Sequence, residues 1–402
     1  MNDNDQLRIV LHPLTFMPDP EGVMIGRFGT DTFAVFPEDG AALVQKLQEG
    51  VTIGEAHAWY EETYQEELDM DDFLLTLREL TFIVEDDGAP IETENKEISW
   101  QWLGRLAFSP VGWLLYGAIF ACAAWIMIKY PELRPSRQSI LFSPYTMVVF
   151  VGMILGQLPG LLFHEAMHML AGRRLGIRSR LGLGRRMYFL VFTSSMPGIW
   201  GVPREKRFLP ILVGMMGDLL WFSLLVIAAG AILMSTGEIT LLAGYCMGLA
   251  FTTLLRLFWQ FYFQLQTDIY YLMITVWGCV NLQETTRDMI KNSWYQATKQ
   301  THKLIDLSIY TERDQQVART YRYFYAAGWL LMVGIFFYMF PVVFQLLSNV
   351  FNSLITGTDM RFWDSIVFLS FMVIHYSIIL YLYWKERQAR KKVSHAPMSQ
   401  EG

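Results

Sequence analysis

The 402-residue chain is poor in charge, in cysteine and, over its first quarter, in basic residues. Charged residues make up 17% of it, against 53% hydrophobic and 15% aromatic. So small a charged share argues against an ordinary soluble protein and against a disordered one. The three cysteines, Cys122, Cys246 and Cys279, all fall in apolar stretches. Their number and spacing exclude a disulfide framework or a cysteine metal knuckle, and they read as small core hydrophobes. The N-terminus lacks a basic segment followed by an apolar one, which argues against a cleavable signal peptide. Residues 1–100 hold 5 Lys/Arg against 23 Asp/Glu, a net of −18, whereas the remainder holds 27 against 15, a net of +12. The overall charge of −6 therefore averages two differently built parts. The acidic part is a poor partner for nucleic acid, whose phosphates need basic contacts.

Residues 1–97 read as a soluble module. Val23–Phe28 and Thr32–Phe36 are β-prone runs separated by the turn-like Gly29-Thr30-Asp31. A helix pattern runs from Asp39 to Gln48 and ends at Gly50. Thr52 with Glu55 three residues on forms a capping-box pair for a second helix reaching about Tyr64. Asp69 to Leu80 gives a third helix, and Thr81–Val84 reads as a closing strand. This order of elements suggests a small α+β winged-helix domain. Residues 86–100, acidic and containing Gly88 and Pro90, read as a linker.

From Trp102 the chain changes character. Six stretches are long and apolar enough to span a bilayer: about 108–128, 145–170, 208–233, 241–263, 323–347 and 362–384. The fold class expected is therefore mainly α: a polytopic helical membrane protein with a small N-terminal domain. Residues 173–207 carry nine Lys/Arg, 283–322 carry seven, and the tail after Trp384 carries five. Residues 131–144 carry two, 234–240 none and 348–361 one. By the positive-inside rule, both termini and the two long loops face the cytoplasm of a cell (inner) membrane. Between the second and third spans, Met187–Phe192 is β-prone and Ser194–Gly198 reads as a turn, so a strand or hairpin is expected there.

The chemistry centres on His164-Glu165-Ala166-Met167-His168, near the end of the uncharged run 145–163. One helical turn separates the two histidines, so they share a face. This H-E-x-x-H spacing suits a zinc ion on two imidazoles with the intervening carboxylate as general base. Ionisable groups in a membrane-like helix are costly and usually functional. A catalytic zinc needs a third protein ligand. Asp268, just past the end of the fourth span, is the first choice, because that span and the second end on the same side. Asp218 in the third span is its rival, and His375 in the sixth lacks a partner by spacing.

Two resemblances add to this reading. His164–His168 followed by Met169-Leu170-Ala171 and Arg173-Arg174-Leu175-Gly176 resembles the site-2 protease class of intramembrane zinc metalloproteases, and more closely its bacterial peptide-maturation branch. That branch carries its aspartate in an Asp-Gly-Tyr-Tyr context followed by Asn-Leu. Here the chain reads Asp268-Ile269-Tyr270-Tyr271, then Asn281-Leu282. Ile269 replaces the usual Gly, and Gln266-Thr267 replaces the Asn-Pro of the wider class, a difference that bears on substrate handling more than on metal binding. The resemblance implies zinc ligation by His164, His168 and Asp268, with Glu165 as the catalytic base. Separately, Ala34-Val35-Phe36, Ala41–Val44, Leu47, Gly50-Val51-Thr52, Tyr64, Phe73-Leu74 and Leu77–Leu80 resemble a RiPP recognition element, the winged-helix module that holds a leader peptide by β-augmentation.

Together these imply three parts: a peptide-recognition domain (1–97), a zinc metalloprotease membrane core (98–282), and a cytoplasmic loop with two further spans and a basic tail (283–402). The expected activity is cleavage of a precursor (leader) peptide in ribosomal peptide natural product maturation. The alternatives are a regulatory intramembrane protease acting on a membrane-bound protein, and a non-catalytic scaffold or export partner. An intact Glu165 argues against the scaffold, which would have no use for a base.

Overall fold

The computed structural model describes residues 6–19, 22–27, 32–84, 98–186, 189–196, 198–199, 202–356 and 359–394. The turn expected at 29–31 and most of the linker expected at 86–100 lie outside them.

The N-terminal module opens with a three-stranded antiparallel sheet in the order β1 (Leu14–Asp19), β2 (Gly22–Arg27), β3 (Phe33–Phe36). Strand β1 was not expected. Pro18 speaks against a strand, but β1 is an edge strand, where a missing N–H is tolerated. Three helices follow, α1 (Glu38–Gln48), α2 (Ile53–Tyr64) and α3 (Met70–Glu79). The expected capping box is formed: Glu55 N–H donates to Thr52 Oγ1 at 3.2 Å, and Thr52 N–H donates to Glu55 Oε2 at 2.9 Å. Ile25, Leu43, Val44, Ala56, Leu77 and Phe82 are wholly buried and join sheet to helices. The closing strand expected at Thr81–Val84 shrinks to one bridge, Ile83 to Leu11. Thr81 takes a left-handed φ of 54° directly after α3, so little extended chain remains to pair.

The rest of the described chain is mainly helical: α4 (Gln101–Ala107), α5 (Pro110–Lys129), α6 (Thr146–Arg174), α7 (Arg204–Thr236), α8 (Leu241–Trp259), α9 (Asp268–Trp277), α10 (Leu282–Ala297), α11 (Glu312–Thr356) and α12 (Met360–Ser394). Among the described residues, α5, α6, α7, α8 and α11 are long and apolar enough to cross a membrane. The sixth expected stretch, 362–384, lies within α12, part of whose side chains fall outside the described residues. Between α6 and α7, β4 (Arg180–Arg186) and β5 (Phe189–Ser195) pair as an antiparallel hairpin. Met187 and Tyr188 lie outside the described residues. Ser194 and Ser195, expected in a turn, extend β5 because both pair with β4.

The chain divides into two compact units. The first comprises Met1–Ala121, Gly160–Trp221 and Arg256–Met332. Within it, α6 packs on α7 through Met167, Ala171, Val213 and Leu220. Helix α4 crosses the end of α6 so closely that a Cβ on Gly104 would clash with the Leu170 carbonyl oxygen. A second core joins α9, α10 and α11 through Tyr270, Ile274, Leu282, Ala318 and Tyr321.

The second unit comprises Cys122–Pro159, Phe222–Leu255 and Val333–Gly402. It starts helix α6 in an unusual way. The first turn of a helix has N–H groups without intrahelical acceptors, and here a carboxylate from the far end of the chain supplies them. Thr146 N–H donates to Asp364 Oδ2 at 2.7 Å, and Met147 N–H donates to Oδ1 at 3.1 Å. Phe150 packs edge-on against Phe368 and Phe371 beside this cap. Replacing Asp364 with Ala is expected to cost about 1 kcal/mol, the usual worth of a lost N-cap. It should lower the thermal midpoint of the detergent-purified protein, and an unchanged midpoint would show that the cap contributes nothing.

Candidate metal centre

Helix α6 presents His164 and His168 on one face because they are four residues apart. Both are buried. Their Nε2 atoms lie 3.1 Å apart. Asp268 Oδ2 lies 3.3 Å from each. Among the described residues this is the one group of three or more His, Cys, Asp or Glu with such convergent atoms. Two of the residues come from α6 and the third from the first position of α9.

The other ring nitrogens decide what the cluster can do. His164 Nδ1 is 3.0 Å from Asp218 Oδ2, and His168 Nδ1 is 2.6 Å from the Pro210 carbonyl oxygen. A carboxylate and a carbonyl only accept, so each Nδ1 carries the proton and donates. In the neutral imidazole each Nε2 is then left with a lone pair. Three lone-pair atoms thus face one another in a buried site. Asp268 Oδ2 is buried and has no hydrogen-bond partner among the described residues.

A metal ion fits this arrangement. Tetrahedral zinc with ligands at about 2.0–2.1 Å requires ligand atoms roughly 3.3 Å apart, close to the 3.1–3.3 Å found. Three protein ligands leave the fourth position for water or substrate. The donor set, two imidazoles and a carboxylate, suits zinc among the common divalent ions.

Helix α7 makes room for the centre. A Cβ on Gly214 would stand 2.6 Å from His164 Nε2 and closer still to His168 Nε2. The same helix supplies the Pro210 carbonyl and Asp218. Asp218, the rival third ligand, is wholly buried and does not join the three convergent atoms. Its Oδ2 holds His164, and its Oδ1 accepts from Arg256 Nε at 2.8 Å, with Arg256 Nη2 at 2.6 Å. It therefore orients the His164 imidazole, in the position a carboxylate takes behind a metal-binding histidine. Arg256 comes from α8 and stands against the carboxylate oxygen that faces away from His164. His375 is exposed and stacks on Phe371.

Asp268 is set by its own neighbours. Gln266 takes a left-handed φ of 50° and turns the chain into α9. Asp268 N–H donates to Gln260 Oε1 at 3.0 Å, and Thr267 Oγ1 donates to the Gln260 carbonyl at 2.6 Å. Gln260 and Thr267 thus fix the backbone where the resembled class has Asn-Pro. Glu165 is half-buried beside His164 and makes no hydrogen bond or ion pair with another described residue.

Sequence reasoning missed Gly214, Pro210, Arg256 and Gln260. The signal for the first was Gly214-x-x-Gly217 just before Asp218, which marks a close helix approach. The other three contribute carbonyls or bonds to a ligand's far side, and no spacing rule announces them. No family model, no curated protein and no solved structure matches the chain.

Three substitutions test this geometry by metal content of the purified chain. Gly214→Ala should abolish stoichiometric metal while leaving helical content intact. Asp218→Asn should weaken metal affinity roughly 10–100-fold, the usual loss for an outer partner of a ligand, whereas Asp268→Ala should do far more. The reverse ranking would make Asp218 the ligand.

Proposed function

We propose that the chain is a membrane-embedded zinc metalloendopeptidase that cleaves a precursor peptide. The single observation that carries the reading is the set of three convergent lone-pair atoms, His164 Nε2, His168 Nε2 and Asp268 Oδ2, each imidazole oriented from behind. Three atoms that can each offer a lone pair to one point suit a bound cation. Zinc bound there would acidify water and polarise a peptide carbonyl. The His-Glu-x-x-His spacing supplies the remaining group. Glu165 takes the proton from the attacking water as its oxygen bonds to the carbonyl carbon. It returns that proton to the amine nitrogen as the C–N bond breaks.

The N-terminal module is proposed as a winged-helix peptide-recognition domain of the leader-binding kind. Its support is the antiparallel sheet with β3 at an edge, free of Pro and of charge, since an extended peptide adds to such an edge by main-chain hydrogen bonds. Binding there raises the local concentration of precursor at the centre without a new contact at the metal. The charge distribution favours a cytoplasmic membrane with both termini inside, which would present module and centre to a newly made peptide on the same side.

The test uses the full chain in lipid nanodiscs and short soluble peptides read by mass spectrometry. Glu165→Gln should keep the metal and lose cleavage by about 10²–10⁴-fold, the usual worth of a general base. Equal cleavage by the variant would overturn the assignment. Cleavage confined to helical transmembrane substrates would favour regulatory intramembrane proteolysis instead. Removing residues 1–95 should weaken precursor binding and leave metal content unchanged, and unchanged binding would remove the delivery role.

A further inference from the structure

Asp268 follows a loop, 260–267, that joins α8 to α9. Much of the loop is buried: Gln260, Tyr262, Gln264, Leu265 and Thr267 are each 6% exposed or less. Carbonyl groups in such a place need partners. The Gln260 carbonyl is met by Thr267, and the Tyr262 carbonyl accepts from the Leu265 N–H at 2.8 Å. The next two carbonyls are met from outside the loop. Gln283 Nε2, in the first turn of α10, donates to the Gln264 carbonyl at 2.7 Å. The Tyr321 hydroxyl, from α11, donates to the Phe263 carbonyl at 2.8 Å.

Tyr321 also holds the chain on the other side of Asp268. It is wholly buried. Its ring stands 6.1 Å from that of Tyr270 and 6.3 Å from that of Trp277, both on α9. Phe263 lies five residues before Asp268 and Tyr270 two after it, so one side chain grips the backbone ahead of the carboxylate and the helix behind it. Gly328, two turns further along α11 and on the same face, lets that helix come so close. A Cβ there would run into the Gln264 amide oxygen and stand 2.9 Å from the Phe263 nitrogen.

We infer that Tyr321 is a positioning residue for Asp268. By holding the Phe263 carbonyl and the first turns of α9 together, it sets where the carboxylate oxygen stands against the two imidazoles. Metal–ligand distances hold to within about 0.2 Å, so a small slip of this loop is felt at the ion. Helix α11 thereby serves the candidate metal centre, although none of its side chains joins the three convergent atoms. The inference rests on the metal centre of the proposed reading and not on peptide cleavage.

The experiment uses the full chain in nanodiscs. Zinc affinity is measured against a chromophoric chelator, and the cobalt-loaded protein gives a visible spectrum. Tyr321→Phe removes one hydroxyl and keeps the ring. It should weaken zinc binding about tenfold, the lower end of the loss for a residue behind a metal ligand, and shift the cobalt bands. Gln283→Met should do the same to a smaller degree, and it carries the test if the first variant folds poorly. Positioning is told from general loosening in an Asp268→Ala background, where copper(II) binds the two remaining imidazoles. There Tyr321→Phe should leave copper affinity unchanged. A loss of equal size in that background would overturn the inference. So would unchanged zinc affinity and an unchanged cobalt spectrum in both variants with Asp268 present, even in a chain that cleaves peptides. Zinc binding that depends on Tyr321 in a chain that cleaves no peptide would sink the protease reading and keep the inference.

Discussion

Everything at the heart of this molecule depends on where two protons sit. Each imidazole holds its proton on Nδ1, because Asp218 and the Pro210 carbonyl can only accept. That choice leaves both Nε2 lone pairs aimed at the Asp268 oxygen. Were either tautomer reversed, an N–H would point into the cluster and a cation would be repelled from it. The His164 ring is held by a buried carboxylate, and a buried carboxylate calls for a countercharge. Arg256 provides it. The centre is therefore a chain of dependencies running from Arg256 through Asp218 to His164, and only its last link belongs to the three-atom cluster.

Helix α7 bears most of this burden. Over nine residues it contributes a carbonyl, a residue with no side chain and a carboxylate. Pro210 removes one backbone donor from the helix interior, yet its own carbonyl serves His168. The role of α7 is to place backbone and small groups where a larger side chain would fill the site. Helix α9, a short element outside the candidate spans, delivers the cluster's carboxylate from a start fixed by Gln260. The centre is assembled from one helix that carries ligands, one that shapes the space, and one that closes it.

Much of this was legible in the amino-acid sequence. The apolar runs foretold the helices well because length and hydropathy leave little choice in a bilayer. The spacing of His164 and His168 foretold a shared face, and the reading of span ends favoured Asp268 over Asp218. Asp218, weighed as the rival third ligand, faces His164 Nδ1 in the structure, and spacing along the chain does not say whether a carboxylate meets a metal or the back of an imidazole. Strand β1 was missed because Pro18 is informative only once a strand is known to be an edge. The β5 strand was cut short because Ser194-Ser195 resemble a turn until β4 is available to pair with them. Gly214 and Gln260 act through distances across the fold, which one-dimensional patterns do not carry.

The Asp364 cap has a consequence for biosynthesis. Chains emerge N-terminus first, and α6, with both histidines, is complete by residue 174. Its first turn nevertheless stays without its carboxylate until residue 364 has been made. For nearly two hundred residues of synthesis, the helix at the core of the centre has an unfinished beginning. A chain cut short before the last helix lacks the carboxylate that meets the first turn of α6.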